Sequence, residues 1–222
     1  MSKTLTLTAS DGHTFSAYVA EPAGTPKGLV IVVQEIFGVN SHIRSVADGY
    51  AQDGYLAIAP ALFDRVQKGY ETGYSQPDIA AGVEVMKQAS MDKAMLDLAA
   101  VMEYGKSAGK AAIVGYCWGG SVSWVAAARL PGLACSAPYY GGAIPTYINE
   151  KPACPVMFHF GDADQSIPND KAKAVADAHP SAITHFYSAG HGFNCDQRGS
   201  YHAESAALAR SRTLEFFARH LG

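Results

Sequence analysis

The sequence predicts an α/β fold, a mostly parallel central sheet with helices on both faces, and three observations carry that expectation. Residues 28 to 34 form a continuous apolar, β-branched run of the kind buried on both sides in a parallel sheet. Strand-like and helix-like patterns then alternate along the chain. Gly, Pro and Asp punctuate the ends of the apolar runs, where such sheets bind ligands.

The elements follow in order. Residues 3 to 8 and 14 to 21 alternate with the strand period around Asp11 and Gly12, which predicts an antiparallel hairpin on a sheet edge. The buried run comes next, with Glu35 at its carboxyl end. Ser41 is expected to cap a helix running to about Asp53, Gly54 to end it, and Tyr55 to Ala59 to return as a strand stopped by Pro60. Residues 61 to 77 are irregular and longer than a minimal connection, which suggests a lid over a site. Val83, Met86, Met91, Met95, Leu98 and Met102 keep helical spacing within 78 to 104, with a break near Ser90, and the methionines read as core filler. A strand from Ala111 to Gly115 leads into Tyr116, Cys117, Trp118, Gly119 and Gly120, then a small-residue helix to Leu130. Further strands are expected at Leu133 to Tyr140, Val156 to Phe160 and Ile183 to Tyr187, and helices at 168 to 178 and from about Tyr201 to His220.

At 222 residues with 48% hydrophobic content, the chain suits one domain over 1 to 222. A net charge of −3 offers no long-range attraction for nucleic acid or an anionic membrane. No apolar run approaches the roughly 20 residues of a membrane span, and the N-terminus lacks the apolar core of a signal peptide. Cysteines 117, 135, 154 and 195 have no CxxC spacing and no HExxH occurs, so neither a metal nor a cofactor is expected, and a reducing, cytoplasmic location fits. With no exposed apolar stripe or heptad, a monomer is expected.

The chemistry gathers at strand ends. Gly115-x-Cys117-x-Gly119 has the spacing of a nucleophile elbow with sulfur in place of oxygen, and the following helix turns its positive end toward the thiol. A thiol nucleophile needs a base and a group to orient that base. His191, in the Gly190 to Phe193 loop, supplies the base, and an acid follows the strand ending at Gly161, where Asp162 and Asp164 compete. The N–H groups of Trp118 and Ile36 are the candidate oxyanion donors. Cys135, Cys154 and Cys195 read as structural, His159 as a core residue, and His13, His42, His179, His185, His202 and His220 as surface or loop residues. Trp118, Phe37, Phe193 and Tyr140 are as readily core as pocket wall.

Gln34 to Asn40, Gly115 to Gly120, the segment Gly161 to Pro168 and Ala189 to Phe193 together resemble the dienelactone hydrolase family, the carboxymethylenebutenolidase-like enzymes, over nearly the whole chain. That resemblance implies an α/β-hydrolase fold and a Cys-His-Asp triad in which Cys117 attacks a small ester or lactone, His191 shuttles the proton and Asp164, rather than Asp162, holds the imidazole. It implies a thioester acyl-enzyme and gives Glu35 a gating role, holding the thiol proton until substrate binds. The family's dienelactone-cleaving members use two arginines to hold a substrate carboxylate. Here Cys195 stands four residues after His191 and no arginine lies between Tyr70 and Met102, which leaves Arg198 and Arg65 as replacements. The competing readings are a cysteine amidase, and a non-catalytic thiol sensor or ligand-binding protein on a hydrolase scaffold.

Overall fold

Eight strands form one sheet in the order β1-β2-β4-β3-β5-β6-β7-β8, described over Met1–Gly222 by a computed structural model. β1 (Ser2–Thr8) and β2 (Thr14–Ala20) make the expected antiparallel hairpin, and β2 pairs antiparallel with β4 (Leu56–Pro60). From β4 onward the neighbours β3 (Leu29–Val33), β5 (Ala111–Tyr116), β6 (Leu133–Tyr139), β7 (Met157–Gly161) and β8 (Ile183–Tyr187) all run parallel.

The period of two along a strand decides which face each side chain enters. Val30 and Val32 of β3, with Ala112 and Val114 of β5, pack into one apolar cluster with α1 (Ser41–Gln52) and α6 (Ala203–Leu221). Leu29, Ile31 and Val33, with Ala111 and Ile113, pack into a second cluster with α2 (Gln76–Gln88) and α3 (Met91–Gly105). α4 (Trp118–Arg129) contributes to both, through Trp124 and Val125 on one side and Val122 and Ala126 on the other. α5 (Asn169–Ala178) joins the first cluster through Ala172 and Val175. The mostly parallel α/β sheet expected from the strand patterns, and the α/β-hydrolase fold that the resemblance implies, are therefore observed.

Several local expectations shift. Asn40, not Ser41, caps α1, accepting from the Ile43 N–H at 3.2 Å. The helical stretch 78 to 104 divides into α2 and α3 at the break expected near Ser90, which is extended and caps α3. The final helix starts at Ala203, since the His202 side chain accepts from Ser205 N–H.

The segment 61 to 77, suggested as a lid, is tied down along its length. A buried 3-10 turn, Leu62–Arg65, anchors it. Arg65 is held by Asp97 at 2.7 and 2.8 Å and by Asp11, while Asp64 accepts from the Ser16 and Gly69 N–H groups. These ties fix its first half against the β2 side of the sheet, while its second half lies at the end of β3, where Thr72 N–H donates to the Phe37 carbonyl at 3.1 Å and the Tyr74 ring meets Phe37 at 4.6 Å.

No helix is long and apolar enough to cross a membrane. Behind the sheet ends, β7 carries a polar cluster inside the core. Thr213 Oγ1 donates to the Ala209 carbonyl at 2.9 Å, so it accepts from Tyr139 OH at 2.6 Å and from His159 Nε2–H at 3.0 Å. His159 Nδ1 then accepts from Tyr187 OH at 2.7 Å. Burial pushes the His159 pKa well below its usual value, so the ring is the neutral tautomer this network requires. Thr213→Val leaves the Tyr139 hydroxyl and the His159 N–H unpaired, and stability is expected to drop by about 1–3 kcal/mol in urea denaturation; an unchanged midpoint would contradict the network.

Candidate active site

Three glycines build the turn that carries Cys117. A Cβ on Gly115 would lie 1.9 Å from the Gly119 carbonyl oxygen, one on Gly119 2.4 Å from the Gln34 oxygen, and one on Gly120 2.2 Å from the Tyr139 oxygen. β3, β5 and β6 thus close on the start of α4 at distances only glycine permits. Between them Cys117 adopts φ 55° and ψ −117°, a backbone state that costs a non-glycine residue about 1–3 kcal/mol. Its N–H donates to the Tyr139 carbonyl at 3.1 Å, and its own carbonyl accepts from Gly120 and Ser121 N–H at 2.9 and 3.3 Å.

This turn presents the sulfur to His191. Cys117 Sγ lies 3.1 Å from His191 Nε2, and His191 Nδ1 lies 2.9 Å from Asp164 Oδ2. The other Asp164 oxygen accepts from Ser166 and Ile167 N–H at 2.7 and 3.1 Å, which locks the carboxylate toward the ring. Asp162, the competing acid, is exposed and receives only the Ser188 hydroxyl at 3.4 Å. Tyr140 meets the imidazole edge-on at 5.2 Å. Burial disfavours a charged imidazole, but the Cys117 sulfur and the Asp164 carboxylate outweigh it and push the His191 pKa up to about 10.

Glu35 is buried at the end of β3, and its Oε1 accepts from Arg198 Nη1 at 2.9 Å. No hydrogen bond joins Glu35 to Cys117; the thiol's partner here is His191. The Arg198 guanidinium also sits over the Phe37 ring at 5.5 Å. Of the two arginines singled out in the sequence, Arg198 borders the pocket at Cys117, whereas Arg65 is held by Asp97 and Asp11.

The pocket has a volume of about 440 Å³, with Cys117, Trp118, Ile36, His191 and Arg198 among its walls. Neither the Trp118 nor the Ile36 N–H donates to a protein acceptor. Phe37 and three residues of α2, Ile79, Val83 and Met86, form an apolar side. Met86 was expected as core filler; it faces the pocket because Gly82 lets α2 approach the Ile36 carbonyl, where a Cβ would come within 2.6 Å. Two other placements escaped the sequence. His42 is buried rather than on the surface, and Cys195 is buried close to Glu35. All four cysteines are free, and burial raises the pKa of Cys135, of Cys154 to about 11 and of Cys195 to about 12.

Comparison with known proteins gives one answer. Residues 15 to 221 match the family model described as the dienelactone hydrolase family. The carboxymethylenebutenolidase of Pseudomonas putida is 33% identical over 228 residues, covering 96% of this chain and 95% of its own. A Synechocystis protein provisionally named carboxymethylenebutenolidase is 35% identical over 93% of this chain and 92% of its own. The crystal structure of a provisionally named dienelactone hydrolase from Klebsiella pneumoniae superposes with a TM-score of 0.84 at 32% identity, covering 99% of both chains. An esterase from Pyrococcus furiosus, 15% identical with a TM-score of 0.73 over 100% of this chain and 93% of its own, shares the fold. With its family's sequence pattern spanning nearly its whole length and its fold superposing on that of a close relative, this chain belongs to the dienelactone hydrolase family.

Proposed function

We propose that this hydrolase cleaves a small carboxylic ester or lactone through a thioester formed on Cys117. The observation that carries the reading is the unbroken line from Asp164 through His191 to the Cys117 sulfur, 2.9 and 3.1 Å long at its two joints and opening into the pocket.

The thiol proton passes from Sγ to His191 Nε2, leaving a thiolate beside an imidazolium. Sulfur adds to the substrate carbonyl carbon, and the carbonyl pair moves onto oxygen, which meets the unused Trp118 and Ile36 N–H groups. As the C=O re-forms, the bond to the alkoxy oxygen breaks, and that oxygen takes the proton from Nε2. Neutral His191 then draws a proton from a water that attacks the thioester. Collapse releases the acid and restores the thiolate and imidazolium. Asp164 holds Nδ1–H and offsets the imidazolium charge throughout.

Glu35 gates the thiol. With its carboxylate on Arg198, as here, Cys117 is left to His191; turned onto Cys117 it would hold the thiol proton out of the reaction. The apolar side made by Phe37, Val83 and Met86 suits a compact acyl group. Arg198 lends only Nη1 to Glu35, so its other nitrogens remain to meet an anionic substituent.

Incubation with a panel of small esters and lactones is expected to add the acyl mass to wild-type protein and not to Cys117→Ala, whose turnover falls to background. Amide turnover without ester turnover would favour a cysteine amidase. Labelling of Cys117 by iodoacetamide with no hydrolysis across the panel would favour a thiol-binding protein instead.

Acylation by a poor leaving group needs the His191 proton, so with an alkyl ester the acylation rate should hold toward pH 10 and fall above it as the imidazolium deprotonates. Asp164→Asn removes a charge that raises this pKa, which should move the alkaline limb to lower pH and slow acylation by about 10²-fold or more. A limb at the same pH in both proteins would remove Asp164 from this role.

Arg198→Met strands the buried Glu35 carboxylate and is expected to cost about 3–5 kcal/mol in urea denaturation. Glu35→Gln in the same chain should recover most of that loss. Equal stability of the single and double variants would show that the pair is not coupled. Glu35→Gln alone is expected to lower the burst of acylation with a chromogenic ester while the fold stays intact; an unchanged burst would end the gating assignment.

A further inference from the structure

Glu35 at the end of β3, His42 in the first turn of α1 and Cys195 in the loop after β8 each place one donor atom within 4.8 Å of the others. All three residues are buried, at 1%, 3% and 0% exposure. Two of the atoms have no partner: Glu35 Oε2 and His42 Nε2 are buried without a hydrogen bond, an unfavourable state for a group taken out of water.

The hydrogen bonds around the cluster determine what these atoms present. His42 Nδ1 lies 3.1 Å from Asp196 Oδ1, and an ionised carboxylate only accepts, so the proton is on Nδ1 and Nε2 turns a lone pair inward. Glu35 gives Oε1 to Arg198 and keeps Oε2 free. Two lone-pair acceptors therefore face the Cys195 thiol, and the nearby Tyr74 and Tyr140 hydroxyls donate to neither of them. A divalent cation satisfies all three. Imidazole nitrogen, thiolate and carboxylate are the donor types of zinc sites, and a carboxylate behind the other ring nitrogen is how a ligating histidine is oriented.

We propose that Glu35 Oε2, His42 Nε2 and Cys195 Sγ form a binding site for a zinc-class divalent cation, with water in a fourth position. Bonds of about 2.0–2.3 Å in a tetrahedral site set ligand atoms roughly 3.5 Å apart, so the farthest pair closes by about an ångström. On binding, the Cys195 S–H bond breaks, its electron pair becomes the sulfur–metal bond and the proton leaves to solvent; nothing is oxidised or reduced. The thiolate and the Glu35 carboxylate together carry two negative charges against the two of the ion, and Glu35 keeps its Oε1 on Arg198. A solvent-open cavity of about 250 Å³, bordered by His42, Tyr116, Asn194, Asp196 and Arg210, provides the approach. The site stands on these residues whether or not the chain hydrolyses esters.

The test uses full-length protein carrying Cys117→Ser, so that the proposed nucleophile cannot bind the probe, stripped with EDTA and titrated with Co²⁺. One equivalent per chain is expected to produce a near-ultraviolet sulfur-to-cobalt charge-transfer band, which Zn²⁺ then displaces. Adding Cys195→Ser should abolish the band. His42→Gln, or Asp196→Asn on the exposed side of the ring, should weaken Co²⁺ binding by about 10–100-fold. Because Asp196 is exposed, its variant keeps the test readable even where a buried substitution impairs folding. Absence of the band at millimolar Co²⁺, its survival in the Cys195→Ser protein, or unchanged affinity in both His42→Gln and Asp196→Asn would overturn the site.

Discussion

The close approach of backbone to backbone around Cys117 is the constraint on which the rest of the site depends. Gly115, Gly119 and Gly120 allow β3, β5, β6 and the first turn of α4 to meet with no side chain between them. Cys117 is then forced to a positive φ, and the cost of that conformation is carried by the packing of the sheet rather than by local preference. A looser junction would let the thiol relax into ordinary helix geometry and lose its line to His191. Site precision here is a property of the parallel sheet's core, which is why the reactive residues sit on loops whose ends the strands hold.

Two buried charge systems meet at this junction. Asp164, His191 and Cys117 form one, and Glu35 with Arg198 forms the other. Each is tolerable out of water because its charges are paired and hydrogen-bonded, the carboxylate of Asp164 by two backbone N–H groups and that of Glu35 by a guanidinium. The two systems share a pocket yet do not hydrogen-bond to one another in this conformation, in which Glu35 holds Arg198 and the thiol is left to His191. Glu35 also leaves one oxygen facing His42 and Cys195, which makes it the residue through which the pocket and the neighbouring cluster touch.

Legibility followed the range of the interaction. The strand at Leu29–Val33, the alternation of strands and helices and the Gly-x-Cys-x-Gly turn were readable because a buried parallel strand and a tight turn each impose their pattern on consecutive residues. Helix ends were readable less well: Asn40 and Ser41 are both good capping residues, and only the entry angle of the chain selects Asn40. The stretch 61 to 77 suggested a lid by its length and composition, which say nothing of partners, and the structure shows its ends held at two places, Tyr74 against Phe37 at the end of β3 and Arg65 further back. Asp11 and Asp97, distant in sequence, hold Arg65 and make it a tied-down part of the scaffold.

By itself the sequence determined the fold class and the Gly-x-Cys-x-Gly turn, since each is written in local periodicity or in the spacing of a few neighbours, while likeness to the family singled out Asp164, His191 and Glu35. Only the tertiary structure decided that Arg198 rather than Arg65 borders the pocket, that α2 forms its apolar side, and that Glu35, His42 and Cys195 converge. Those outcomes rest on where side chains from separate strands and loops point once the sheet has twisted and closed. No pattern of adjacent residues encodes that direction; it is set by the packing of the whole core.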